Sequence, residues 1–439
     1  MRAGLAALAA IAAALLMGAQ AQTAPATPQA AEGAGITHLW AGRLLAEPGR
    51  GLATAQTVVI ERGRIVRVVP GYVPVPQGGE TLDLRGMTVL PGLIDAHVHL
   101  LFETGPDRRL DAVTMSEAAV VLQGAEYAER TLKAGFTTVQ DVGGSDAIFA
   151  LRDSIAKGET LGPRIRAAGS SITPTGGHGD SHGYRLDVLD LMQSRTVCDG
   201  PADCRRAVRD AVRRGADLIK ITATGGVLSN TAAGVERQFF DDEFEAIVGA
   251  ARMMGRQVTA HAHGVTGVNA ALRAGVNSIE HGTYLDAESV RLFRQNRATL
   301  VPTVLAGAHV AAEAQNSQWM SPAVRAKALE IGPRMLGMLR RAREGGVNIV
   351  FGTDTGVSPH GQNAREFALW VEAGFTPEQA IRAATVLAAE HLQLSDQIGR
   401  IAPGLMADII AVGADPLTNV RELESVDFVM KGGAVVVAP

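Results

Sequence analysis

Cysteine is nearly absent: 439 residues contain only Cys198 and Cys204, both in the stretch Cys198-Asp199-Gly200-Pro201-Ala202-Asp203-Cys204. No histidine lies between them, which argues against a thiolate metal site and leaves a disulfide staple as the expectation. Strong charge is also lacking. A formal net charge of −4 and a pI near 6.3 give no attraction to polyanions, so nucleic acid is not an expected partner. Nor is there an apolar run of the roughly 20 residues needed to cross a bilayer, since the Ala/Leu-rich stretch from Ala3 to Met17 falls short. That stretch follows Met1-Arg2 and precedes Ala19-Gln20-Ala21, the pattern of a cleavable signal peptide over residues 1–21. The expectation is an exported protein, periplasmic or secreted, without stable membrane insertion. A Pro/Ala/Gln-rich stretch then makes residues 22–36 a flexible linker. Neither a solenoid repeat nor a heptad run is present.

What the chain does contain is Leu90-Pro91-Gly92-Leu93-Ile94-Asp95-Ala96-His97-Val98-His99, an apolar run ending in two imidazoles one residue apart. On a strand that spacing turns both side chains to one face. Paired lone pairs at the end of an apolar strand point to a metal ion.

From Gly92 onward, short apolar or β-branched runs alternate with helix-length amphipathic segments. Eight strands are expected: Gly92–Leu100, Phe136–Val142, Arg164–Gly169, Leu218–Thr224, Gln257–His263, Ser278–Gly282, Thr299–Val304 and Asn348–Asp354. Helices are expected between them, among them Met115–Ala134, Pro201–Arg214, Asp241–Met254, Gly264–Ala274, Asp286–Gln295 and Pro322–Glu344. The pattern predicts an α/β fold, a closed (β/α)8 TIM-type barrel over residues 91–394. The flanks, 37–90 and 395–439, carry short alternating runs such as Thr57–Ile65 and Ala407–Val412. They predict a small β-sandwich domain built from both termini.

In such a barrel, functional groups sit at the C-terminal ends of the strands. The expected strand ends carry His97 and His99, then Lys220, then His261 and His263, then Glu280 and His281, and finally Asp354. Taken singly, each has an ordinary structural explanation: a bonded core histidine, a snorkelling lysine, a helix cap. Their common placement argues for a metal centre. Burial would lower the pKa of Lys220 and leave an amine able to add carbon dioxide. The resulting carbamate could bridge two divalent ions that share a hydroxide nucleophile.

These segments, with 219–227, 261–264, 278–282, 352–354 and 399–408, resemble the amidohydrolase superfamily. The likeness is to the binuclear branch that groups Xaa-Pro and related dipeptidases with ochratoxin-hydrolysing amidases, and more loosely to imidazolonepropionases. The resemblance implies that His97, His99 and Asp354 hold one ion, that His261 and His281 hold the second, and that carboxylated Lys220 bridges them. Zinc is the default metal, with manganese and cobalt as alternatives. It also implies Asp354 as the proton shuttle and His263 as a residue facing the substrate. Homo-oligomers, up to octamers, are expected on the same ground.

The implied reaction is hydrolysis of the amide in dipeptides or N-acyl amino acids, ochratoxin A included. For the substrate carboxylate, Arg185 and Arg237 are the candidate partners because bidentate arginine suits it best. His178, in the glycine-rich loop after the third strand, is a further candidate contact. The rival readings are a cyclic-amide or lactone hydrolase of the same superfamily and an exported binding protein that keeps the fold without the chemistry.

Overall fold

Residues 35–231 and 234–439 are described by the computed structural model. The expected signal peptide, and all but the end of the expected linker, lie outside the described residues. Four strands come first: β1 (Ile36–Leu44), β2 (Ala53–Glu61), β3 (Arg64–Pro70) and β4 (Glu80–Pro91). Eight parallel barrel strands follow as β5 (Leu93–Val98), β6 (Phe136–Asp141), β7 (Arg164–Ala167), β8 (Ile219–Thr222), β9 (Val258–Ala262), β10 (Ser278–His281), β11 (Thr299–Val301) and β12 (Asn348–Ile349). The chain ends in β13 (Ile409–Val412), β14 (Phe428–Lys431) and β15 (Ala434–Val437).

The barrel strands form two ladders, β5-β6-β7 and β8-β9-β10-β11-β12. Backbone bonds close the ring between them. Ile172 N donates to Lys220 O at 2.8 Å beyond β7, and Ala96 N donates to Phe351 O at 3.0 Å beyond β12. The ladder at β12 ends at Ile349, earlier than the expected Asp354, although Val350 N still donates to Leu300 O at 3.0 Å, and Asp354 itself adopts φ +58°.

Local chemistry sets the helix limits. Pro201 opens the helix Pro201–Arg214 where its missing N–H costs nothing, and Gly215 at φ +116° closes it. The helix Pro322–Glu344 starts the same way, with the Ser321 side chain accepting from Val324 N. Apolar strand and helix faces bury Phe136, Ile219, Ile279, Leu300 and Phe351 in one continuous core. Each such side chain contributes about 1.5–3 kcal/mol. No described helix is long and apolar enough to cross a membrane.

The terminal strands form a single hydrogen-bonded sheet in the order β15-β14-β13-β4-β1-β2-β3. It curls over a core of its own that includes Leu39, Val58, Ile65, Ile409 and Phe428. The two ends of the sheet meet at their turns, where a Cβ on Gly63 would lie 2.4 Å from Gly432 O. Only glycine permits that approach. A β-rich unit built from both termini therefore stands beside the barrel.

Cys198 and Cys204 are disulfide-bonded, with Cα atoms 5.0 Å apart.

Candidate metal centre

Strand alternation brings His97 and His99 to the same side of β5, and the rim bend brings Asp354 against them. Asp354 Oδ1 lies 3.3 Å from His97 Nε2 and 3.1 Å from His99 Nε2. The other nitrogen of each ring is held from behind. His97 Nδ1 donates to Glu280 Oε2 at 2.6 Å, and His99 Nδ1 donates to the Gly143 carbonyl at 2.9 Å. A neutral ring that donates from Nδ1 carries its lone pair on Nε2, and Nε2 is the atom of each ring that faces Asp354.

His281 joins this group: ligand atoms of His97, His281 and Asp354 all lie within 4.8 Å of one another. It also belongs to a second group, with His261 and His263, of the same span. Its Nδ1 is tied to Thr303 Oγ1 at 2.7 Å. His261 Nε2 lies 3.2 Å from Gly225 O and donates there, which leaves Nδ1 open. His263 Nδ1 contacts Thr283 Oγ1 at 2.8 Å, leaving Nε2 open. Both imidazoles stand 4.8 Å, ring to ring, from His281. His281 (φ +71°), Asp354 (φ +58°) and Thr303 (φ +49°) all occupy the left-handed region, where non-glycine residues are strained. Such strain concentrates at functional sites.

Burial depresses His261 and His281 well below the ordinary imidazole range, which keeps both neutral. Burial also lowers Lys220, against the pull of Glu280, Asp354 and Asp141. For Asp354, burial raises the carboxyl, but His97 and His99 outweigh it and hold the group well below the usual carboxylate range. Its Oδ1 is buried and has no hydrogen-bond partner, because the two Nε2 atoms approach without hydrogen-bond alignment. A buried carboxylate oxygen without a hydrogen bond, facing the Nε2 atoms of two imidazoles, suits a divalent cation.

The centre opens into a cavity of about 520 Å³. One wall is apolar, with Val310, Met320, Val324, Ile331 and Met335 contributed by the helices Val304–Asn316 and Pro322–Glu344 and the turn between them. Another carries Arg108, Arg109, His182 and Tyr184. His178 is in the cavity as expected, its ring 4.1 Å from that of His261 and its Nδ1 2.6 Å from Ser229 Oγ. Burial, with His263 and Lys220 adding, pushes it down to about 3.

Arg185 and Arg237 are not in the cavity, which corrects the sequence-based expectation. The Arg185 side chain is 80% exposed and pairs with Asp187 at 2.8 Å. Arg237 pairs with Asp241 at 2.8 Å and donates from Nε to Phe239 O at 2.5 Å. The chain turns outward after Tyr184 to begin the helix Leu186–Met192 and carries Arg185 to the surface. Sequence reasoning missed Arg108 and Arg109. Their position in the connection directly after β5, at the start of the helix Arg108–Thr114, was the available signal, since the βα connections form the functional rim.

The amidohydrolase family profile matches residues 88–436. A solved Xaa-Pro dipeptidase with methionine bound in its active site is 38% identical with a TM-score of 0.85, covering 91% of this chain and 99% of that one. Ochratoxinase of Aspergillus niger is 31% identical over 444 residues, 95% of this chain and 90% of the relative. Imidazolonepropionase of Deinococcus radiodurans is 26% identical, covering 88% of this chain and 93% of the relative.

Proposed function

The chain belongs to the amidohydrolase family, and we propose that it hydrolyses the amide bond of dipeptides or N-acyl amino acids with two divalent metal ions, zinc foremost. On this reading His97, His99 and Asp354 hold one ion, His261 and His281 hold the other, and a carbamate on Lys220 joins them. The Oδ1 of Asp354, buried without a hydrogen bond and within 3.3 Å of the Nε2 atoms of His97 and His99, is the observation that carries the proposal. When bound, the ions supply an acidified water and polarise the amide carbonyl.

The side chains do the rest. Asp354, held ionised by His97 and His99, takes a proton from the attacking water and returns it to the departing amine. His263 and His178 face the substrate from the cavity wall. A cavity of about 520 Å³ is of the size that encloses a small organic ligand. The similarity to ochratoxinase and to an Xaa-Pro dipeptidase supports an amide flanked by an amino-acid half, so ochratoxin A belongs among the test substrates. We also propose that the protein is an exported homo-oligomer. The Cys198–Cys204 disulfide supports an oxidising compartment.

The test is a digest of dipeptide and N-acyl amino acid libraries, with hydantoins and lactones beside them, on protein whose metal content is measured. Release of free amino acids by protein holding near two ions per chain is the expected result. Cleavage confined to hydantoins or lactones overturns the substrate class, and a metal-free folded protein overturns the hydrolase.

A further inference from the structure

Arg108 opens the short helix Arg108–Thr114 that follows β5, with its guanidinium carbon 4.3 Å from the Phe102 ring centroid, and Phe102 stacks in turn on His99 at 5.1 Å. The guanidinium is thus two stacking steps from the metal centre. It lines the cavity and is half-buried. Among the described residues it has neither a hydrogen-bond acceptor nor an ion-pair partner. A guanidinium withdrawn from water without an acceptor is destabilised, and its burial weakens its hold on the proton.

The other cationic side chains that line the cavity are committed elsewhere. Arg109 donates to Gly183 O at 2.7 Å and lies 5.1 Å over the Tyr184 ring, whose hydroxyl donates to Arg109 O at 2.7 Å. These contacts fasten the start of the helix Arg108–Thr114 to the loop that carries His178. Lys220 sits inside the metal cluster. His178 has its Nδ1 engaged by Ser229 Oγ at 2.6 Å. The Asp180 carboxylate, also on the cavity wall, accepts from Gly176 N at 2.8 Å and Ser181 N at 2.8 Å rather than from Arg108. The Arg108 guanidinium is thus the cavity-lining cation left free to meet an acceptor on the ligand.

We propose that Arg108 binds the free α-carboxylate of the substrate's amino-acid half, so that the site selects dipeptides and N-acyl amino acids over carboxyl-capped amides. The proposal rests on the amidohydrolase reading above. An α-carboxylate lies two bonds from the amide nitrogen, and the planar guanidinium fork grips it with two parallel hydrogen bonds. A half-buried pair of this kind distinguishes a carboxylate from its neutral amide far better than a solvated surface arginine does.

Two measurements on the metal-loaded protein test it, each with wild type, Arg108→Met and Arg108→Lys. One compares kcat/KM for the best-cleaved dipeptide and for its C-terminal carboxamide. The other compares calorimetric affinities for L-methionine and L-methioninamide. Wild type is expected to prefer the carboxylate by about 100-fold, R108M to shrink that ratio to within about threefold, and R108K to keep part of it. No preference in wild type overturns the proposal. So does an R108M variant that keeps the preference, or one that loses both forms equally. Failure of the enzyme to cleave any amide overturns the hydrolase reading instead, and the methionine pair still decides the role of Arg108.

Discussion

Glu280 Oε2 lies 2.6 Å from His97 Nδ1, and both side chains are buried. Its other oxygen accepts from Ser278 Oγ at 3.1 Å and from Thr259 Oγ1, so the carboxylate is fixed on both sides. Such a partner sets the ring orientation and raises the basicity of the ligating nitrogen. Glu280→Gln keeps the size and removes the charge. It is expected to weaken metal binding about 10-fold or more, read by competition with a chelator. Unchanged affinity would remove Glu280 from the centre.

Asp354→Asn tests the proton shuttle. The amide retains one coordinating oxygen but no basic one, so kcat is expected to fall about 1,000-fold while part of the metal stays bound. Metal content and turnover must be measured on one preparation. A variant with near-native kcat would refute the assignment.

Lys220 is buried among the ligands, where a bare ammonium is disfavoured. Chelator-treated protein is expected to lose activity and to regain it with zinc faster when bicarbonate is supplied. Lys220→Ala should not respond to bicarbonate at all. Reactivation of wild type at one rate with and without bicarbonate would rule out carboxylation.

Glu366 accepts from Val304 N at 3.1 Å, Leu305 N at 2.5 Å and Trp370 Nε1 at 3.0 Å, bracing the helix that follows Thr303. Burial nevertheless pushes its carboxyl up to about 8, against those hydrogen bonds. An unfolded glutamate titrates near about 4.3, so the folded chain holds an extra proton between the two values. The sign follows: this contribution is fully present below about 4.3 and is lost as pH rises through about 8. Denaturant unfolding across that window should show wild-type stability falling more steeply with pH than that of Glu366→Gln, by up to about 1.4 kcal/mol per pH unit. Parallel slopes would contradict the placement of Glu366.

Much of the barrel was legible in residue order. All eight expected barrel strands occur, and Pro201–Arg214 and Pro322–Glu344 have their expected limits, because proline starts and glycine stops are local signals. His97 and His99 share a face for an equally local reason, the two-residue period of a strand. The β-domain expected from both flanks is present as one sheet curled over its own core, held by pairing between β13 and β4, which joins segments distant in sequence.

The sequence by itself determined the chemical kinds at the strand ends, imidazole, amine and carboxylate, because alternation and βα periodicity are properties of neighbours along the chain. Only the tertiary structure decided which cation faces the cavity. Arg185 and Arg108 both follow barrel strands, yet one reaches solvent beside Asp187 and the other lies against Phe102 beneath the rim. Loop paths are set by contacts such as Arg109 to Gly183, across 74 positions of chain, and no local pattern encodes them.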